Sequence, residues 1–283
     1  MRITALIPLY AIPVLLVCFF HGSAEGIDAE VFPPAINQGD AFTVKVSGVN
    51  PAGLPMAELS GKQLSFSSCG EDCFLALGSV SIDTQSGDHI IRLNIGDQEI
   101  NLSLAVKQAA FPERHLTLPD EKVFLNPEDL KRAQAEAAKL KSLWPVVTDK
   151  VWEGNFILPL ENSISTAFGT KRIINKKKNS IHRGIDIRGK KGEKVNATNT
   201  GRVVLAEELF FGGNTLILDH GQGIYSLYMH LSAFNVAVDD IVAKGSVIGF
   251  VGSTGRSTGP HLHFGVKVLN VNTNPISLAE LEL

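Results

Sequence analysis

Apolar and polar residues alternate one for one over most of this chain, in short runs closed by turn residues. Such a period of two puts successive side chains on opposite faces of an extended backbone, so one face can be buried while the other stays wet. Between residues 25 and 110 the runs include AFTVKVSG, QLSFSS, FLALGSVSI, HIIRLNI and QEINLSLAV, separated by Gly39-Asp40, Asn50-Pro51, Ser86-Gly87-Asp88 and Gly96-Asp97. From Trp152 onward they return as RVVLAEEL, NTLILDH, GIYSLYMHL, SVIGFVG and HLHFGVKVL. No strand-then-helix rhythm accompanies them, which argues against a doubly wound sheet. The expected fold class is all-β: a small antiparallel sandwich over 25–110 and a second, mostly antiparallel β domain over 151–283.

Residues 111–150 interrupt the pattern and read as a linker. Asn126-Pro127-Glu128-Asp129 is a helix start, with a capping residue, proline at the first position and acids in the first turn. The spacing of Leu130, Ala133, Ala137, Leu140 and Trp144 predicts one apolar face, and Pro145 ends the helix. It is expected to pack as a spacer against one domain.

At 283 residues the chain has room for two cores. Its net charge of −3 is spread without basic stripes or interleaved aromatics, so nucleic acid is excluded as a partner. Residues 1–24 read as an export signal: Arg2, an apolar run from Ile3 to Phe20, then Gly22-Ser23-Ala24 as small residues for cleavage. An uncleaved segment of that length would instead anchor the chain in a membrane. Either way the protein is expected outside the cytoplasm, in the periplasm or cell envelope. Export leaves Cys69 and Cys73 of CGEDC as the remaining pair, and an oxidising compartment favours a disulfide between them. Nothing in the sequence sets an oligomeric state.

Five of the eight histidines fall in the second β domain: His182, His220, His230, His261 and His263. On a strand, His261 and His263 of GPHLHFG share a face and Leu262 and Phe264 share the other. In IHRGIDIRG, His182 and Asp186 lie four apart, which on a straight strand is about 13 Å. Both can reach one ion only if the chain bends, and Gly184 permits that. Ile185 and Ile187 would then anchor in the core with Asp186 turned toward the site. In YSLYMHLS, alternation puts His230 on the face opposite Leu227 and Met229. A carboxylate and several imidazoles on strands suit a zinc site, in which three protein ligands leave one position for water. His182, Asp186 and one of the two late histidines make three, and the histidines left over can move protons. His220, beside a glycine-rich turn, reads as a turn residue. Lys171, Arg172, Lys176, Lys177 and Lys178 read as a solvated basic loop, able to draw in a carboxylate-bearing substrate.

Taken together, FGTKR, HRGIDI, GRVVLA, LDHGQGIYSLYMHLS and AKGSVIGFVGSTGRSTGPHLHFGV resemble, in content and order, the M23 family of zinc endopeptidases, the lysostaphin-type or LytM-like enzymes. The resemblance covers Phe168 to Val266. It implies one zinc ion held by His182, Asp186 and His263, with His230 and His261 as catalytic acid–base residues. It implies hydrolysis of peptide cross-links or stem peptides of bacterial peptidoglycan. Gly265 departs from the glutamate that many relatives carry there, and no tyrosine precedes His182 to serve as an extra donor. The competing reading is a LytM-like domain that binds peptidoglycan or activates an amidase without catalysis of its own.

Overall fold

A computed structural model describes residues 22–24, 26–49, 53–117, 125–176 and 178–283. The apolar run expected to direct export lies outside them. Among the described residues, no helix is long and apolar enough to cross a membrane.

The first half folds into two five-stranded sheets. One runs in the order Gly22–Ala24, Ile27–Phe32, Ala41–Ser47, Cys73–Ser79, Phe66–Gly70, and the other in the order Ala35–Asn37, Gln98–Lys107, Gly87–Ile95, Met56–Leu59, Lys62–Leu64. Alternation along each strand delivers Val44, Val46, Ile91, Leu93, Leu102 and Leu104 to the space between them, where all are buried. Each such side chain contributes about 1.5–3 kcal/mol by leaving water. Cys69 and Cys73 are joined in a disulfide, with Cα atoms 5.0 Å apart.

The second half is built on a ten-stranded sheet whose main path runs Ile164–Thr166, Ile185–Arg188, His261–Val268, Ile224–Phe234, Gly213–Gly221, Gly201–Leu209, Ile241–Val242. One face carries the large core with Ile185, Ile187, Tyr228, Leu262 and Phe264. The other face carries a smaller cluster of Trp144, Leu205, Leu209, Ile217, Tyr225 and Leu227. The halves also share a core, since Ala41, Leu75 and Leu77 of the sandwich belong to the larger cluster. Asn274 caps the short helix Pro275–Ala279 and reaches Asp40 Oδ1 at 2.9 Å, and Ser277 Oγ accepts from the Ala41 amide.

The segment between the two halves is more structured than a linker. Its strand Glu113–Leu116 pairs in parallel with Lys171–Ile174, which pairs with Lys178–Ile181 as a hairpin. The helix spans Pro127–Leu143, capped by Asn126, whose side chain accepts from the Asp129 amide. Its inward stripe is rotated from the apolar spacing. Ala133 and Trp144 are buried and Leu140 and Leu143 pack against the smaller cluster, while Leu130 and Ala137 face solvent. Glu136 takes an inward position instead, because it accepts from the Phe210 amide at 2.7 Å and pairs with Arg132 at 2.8 Å. A backbone donor at the end of a strand outbids an apolar contact there.

Candidate metal centre

The strand Ile185–Arg188 lies antiparallel to His261–Val268, with Asp186 opposite His263 and Arg188 opposite His261. Directly opposed residues share a face. Ile185, Ile187, Leu262 and Phe264 are buried in the larger core, as the alternation predicts, so Asp186, His261 and His263 project from the other side. His182 arrives separately. The hairpin strand ends at Ile181, the chain turns through His182–Gly184, and the next strand starts at Ile185. The bend is held by the His182 amide on the Thr170 carbonyl and by the His182 carbonyl on the Gly169 amide. Gly184 sits at its tightest point. A Cβ there would lie 2.5 Å from the Phe264 carbonyl oxygen and 2.9 Å from the His263 ring. Close approach of two backbones thus requires the glycine.

His230 reaches the site by a route that alternation does not give. Met229 is opposite His263, so regular pleating would send His230 toward the core with Tyr228. The register slips between the pairs Asn214–Leu231 and Leu216–Tyr228, and His230 adopts φ +65°. This bulge turns its ring toward the site, 4.8 Å from the His261 ring and 6.2 Å from that of His263. Bulges commonly re-aim side chains in this way.

Three donor atoms converge. His182 Nε2 and His263 Nδ1 each stand 2.9 Å from Asp186 Oδ1, and 2.9 Å from one another. His182 Nδ1 donates to the Ala167 carbonyl at 3.1 Å, which leaves Nε2 as the ring nitrogen turned to the carboxylate. Lone pairs gathered at such distances require a proton or a cation among them. Donors bonded tetrahedrally to one zinc at about 2 Å stand about 3.3 Å apart, so the trio needs only slight expansion to fit. These three residues are a group that could hold a metal ion.

The electrostatics agree. Burial alone would raise the Asp186 carboxyl, but hydrogen bonds from His182 and His263 overcome it and hold the group far below the usual carboxylate range. Its second oxygen, Oδ2, accepts from Arg172 Nη2 at 3.0 Å. Arg172 therefore belongs to the site, and its stretch is a hairpin, Lys171–Ile174 and Lys178–Ile181, rather than a solvated loop. Its sequence signal was only a charge in a basic run.

The remaining two histidines are oriented by backbone. His230 Nδ1 donates to the Thr254 carbonyl at 2.9 Å, and His261 Nδ1 to that of Gly259 at 2.8 Å, with Ser257 Oγ at 3.3 Å. Each ring thereby turns its Nε2 away from that carbonyl, and the Nε2 of His261 is 3.8 Å from Asp186 Oδ1. Burial lowers His230 to about 4, although the Thr254 carbonyl pulls the other way. His220 does not join them. It is a strand residue, fully buried, and not part of a turn. Its Nδ1 donates to the Thr200 carbonyl, and its Nε2 accepts from Ser226 Oγ in a chain through Tyr228 OH to the Thr198 amide. Burial lowers it to about 4, so it is a neutral core histidine.

Residues 180–275, which hold all of these histidines and Asp186, match Peptidase family M23. The chain carries a peptidase M23 domain. Over 99 residues, 35% of this chain and 23% of the relative, it is 43% identical to the DD-carboxypeptidase/endopeptidase Mpg of Neisseria meningitidis serogroup B. Over 89 residues, 31% and 21% of the two chains, it is 37% identical to the peptidoglycan DD-endopeptidase ShyB of Vibrio cholerae. The chain thus spans less than a quarter of the length of these relatives. A crystal structure assigned to peptidase M23 from Pseudomonas aeruginosa aligns with 88% of this chain and 95% of its own, with a TM-score of 0.66 and 24% identity, which shows a common fold. The all-β architecture accordingly extends beyond the M23 domain to both halves.

Proposed function

We propose that the protein is a zinc-dependent endopeptidase that hydrolyses peptide cross-links or stem peptides of bacterial peptidoglycan, and that it works in the cell envelope. The observation that carries this reading is the triangle of His182 Nε2, His263 Nδ1 and Asp186 Oδ1 with two further histidines beside it. The relatives' names and the apolar N-terminal run support the substrate and the location.

His182, Asp186 and His263 would hold the ion, which when bound supplies an acidified water and an electrophilic contact for a carbonyl oxygen. The protein's own groups then handle the protons. His230 and His261, with Nδ1 tied to backbone carbonyls, turn Nε2 toward the site, where one of them would accept the proton of the attacking water. The imidazolium so formed returns a proton to the departing amine. Asp186, ionised throughout, balances the positive charge that gathers around it. A domain without catalysis would have no use for His230 held in a left-handed conformation to join this group, since such strain at a non-glycine residue costs about 1–3 kcal/mol.

The test combines metal analysis with digestion of isolated peptidoglycan, products being read by mass spectrometry. Wild type should bind one zinc and release cleaved peptides. His263→Ala should lose the metal, whereas His261→Ala should keep it and lose cleavage. Native rates from both variants would refute the assignment.

A further inference from the structure

The same loop that orients the two histidines forms the wall of a second feature. Thr254 holds His230, and Ser257 touches His261. Between them Gly255, Arg256 and Ser257 line a cavity of about 360 Å³, whose lining is completed by Glu208, Leu209, Phe210, Leu125 and, from the linker helix, Arg132. The cavity therefore adjoins the M23 site on its histidine side, and a segment outside the M23 match supplies part of its lining.

Its lining carries two arginines and one glutamate, and the charge of that glutamate, Glu208, acts on Arg132 rather than on Arg256. Arg132 pairs with Glu136 at 2.8 Å and also donates to the Glu208 carbonyl at 3.3 Å. Arg172, near enough to Arg256 for their charges to repel, is matched by Asp186. Arg256 has no carboxylate partner among the described residues. It is fixed nonetheless, its amide bonded to the Phe211 carbonyl and its guanidinium 4.2 Å from the centre of the Phe211 ring. Crowding by protein and by the Arg172 charge pushes that guanidinium below its ordinary range. A cation pinned in place, short of a counter-charge and beside an aromatic wall, is suited to a carboxylate on a short aliphatic stem.

We propose that this cavity is a substrate subsite in which Arg256 receives a carboxylate of the peptide, on the side of the scissile bond where His230 and His261 stand. It rests on the endopeptidase reading and narrows it. The preferred substrates are acidic peptides, such as stem peptides with free carboxylates, over bridges made only of neutral residues. Ser257 links the subsite to the chemistry, because the residue following Arg256 touches His261.

The experiment uses the full-length, zinc-loaded protein and a purified cross-linked stem-peptide dimer. Three forms are compared: unmodified, amidated at its side-chain carboxyl, and amidated at its terminal carboxyl. One amidation should lower kcat/KM by about tenfold or more, chiefly through KM, and show which carboxylate is read. Arg256→Gln should bring the ratio of free to amidated substrate close to one, and Arg256→Lys should fall between, with zinc content as in wild type. Equal loss on all three substrates, or an undiminished preference, would overturn the subsite. Calorimetric binding of the same peptides to zinc-loaded His261→Ala, with and without Arg256→Gln, reads the preference without turnover. If wild type cuts none of the peptides, the endopeptidase reading fails. The subsite still stands if binding shows the preference and its loss, and falls if binding does not.

Discussion

Arg172 Nη2 donates to Asp186 Oδ2 at 3.0 Å, while Oδ1 of the same carboxylate faces His182 and His263. The two oxygens are therefore differentiated, one held by a fixed cation and one directed to the site. Partners of this kind orient the groups that bind metals and tune their affinity. Arg172→Gln is expected to weaken zinc binding by about 10–100-fold with little change in folding. Arg172→Lys should recover part of it, since a point charge replaces a planar fork. Competition with a chromogenic chelator measures both, and wild-type affinity in Arg172→Gln would show that the contact is incidental.

Gly184→Ala probes the crossing of the two chains. The added methyl meets the Phe264 carbonyl, a backbone atom that cannot step aside, and the His263 ring. A loss of about 1–3 kcal/mol in urea unfolding is expected, as for other overpacked sites, together with reduced zinc content. Unchanged stability would mean that the strands part more easily than their packing implies.

His220 gives the fold a dependence on acid that is separate from the site. Its folded value, about 4, lies below the ordinary 6.5. Between those limits the unfolded chain takes up a proton that the folded chain refuses. The contribution of this histidine is therefore complete above about pH 6.5 and is lost as pH falls toward 4, by about 3 kcal/mol in all. Unfolding free energies of wild type and His220→Gln, measured across that range, should converge as the pH drops. Parallel curves would remove His220 as the cause.

Glu136 connects the linker helix to the chemistry. It accepts from the Phe210 amide, and two residues on, the Gly212 carbonyl accepts from His230 N at 2.7 Å. Glu136→Ala should cost about 1 kcal/mol in stability and slow cleavage several-fold at normal zinc content, because the turn that seats His230 loosens. Stopped assays on peptidoglycan with parallel metal analysis distinguish this from loss of the ion.

What could be read from the chain alone was whatever depends on near neighbours. Alternation around Ile185 and Ile187 and around Leu262 and Phe264 put those residues in the core and left Asp186, His261 and His263 on the other face. The need for a bend between His182 and Asp186 followed from strand length. The remainder depends on distant partners. A bulge at His230 is a mismatch against Asn214–Leu216 and leaves no mark in YSLYMHLS itself. Arg172 looked like its lysine neighbours until the hairpin carried it to Asp186. His220 looked like a turn residue because its partners, Thr200 and Ser226, arrive from other strands. The helix turned Glu136 inward for the sake of an amide 74 residues away.

The parallel pairing of Glu113–Leu116 with Lys171–Ile174 bears on how this protein can be dissected. Truncation just ahead of Val151 would discard that strand and bare the backbone edge of the ribbon that bears Arg172. It would also strip away the helix whose Arg132 lines the cavity beside Arg256. Orphaned edges invite self-association. Sluggish or sticky behaviour in such a fragment would therefore reflect the amputation and reveal little about the native protein.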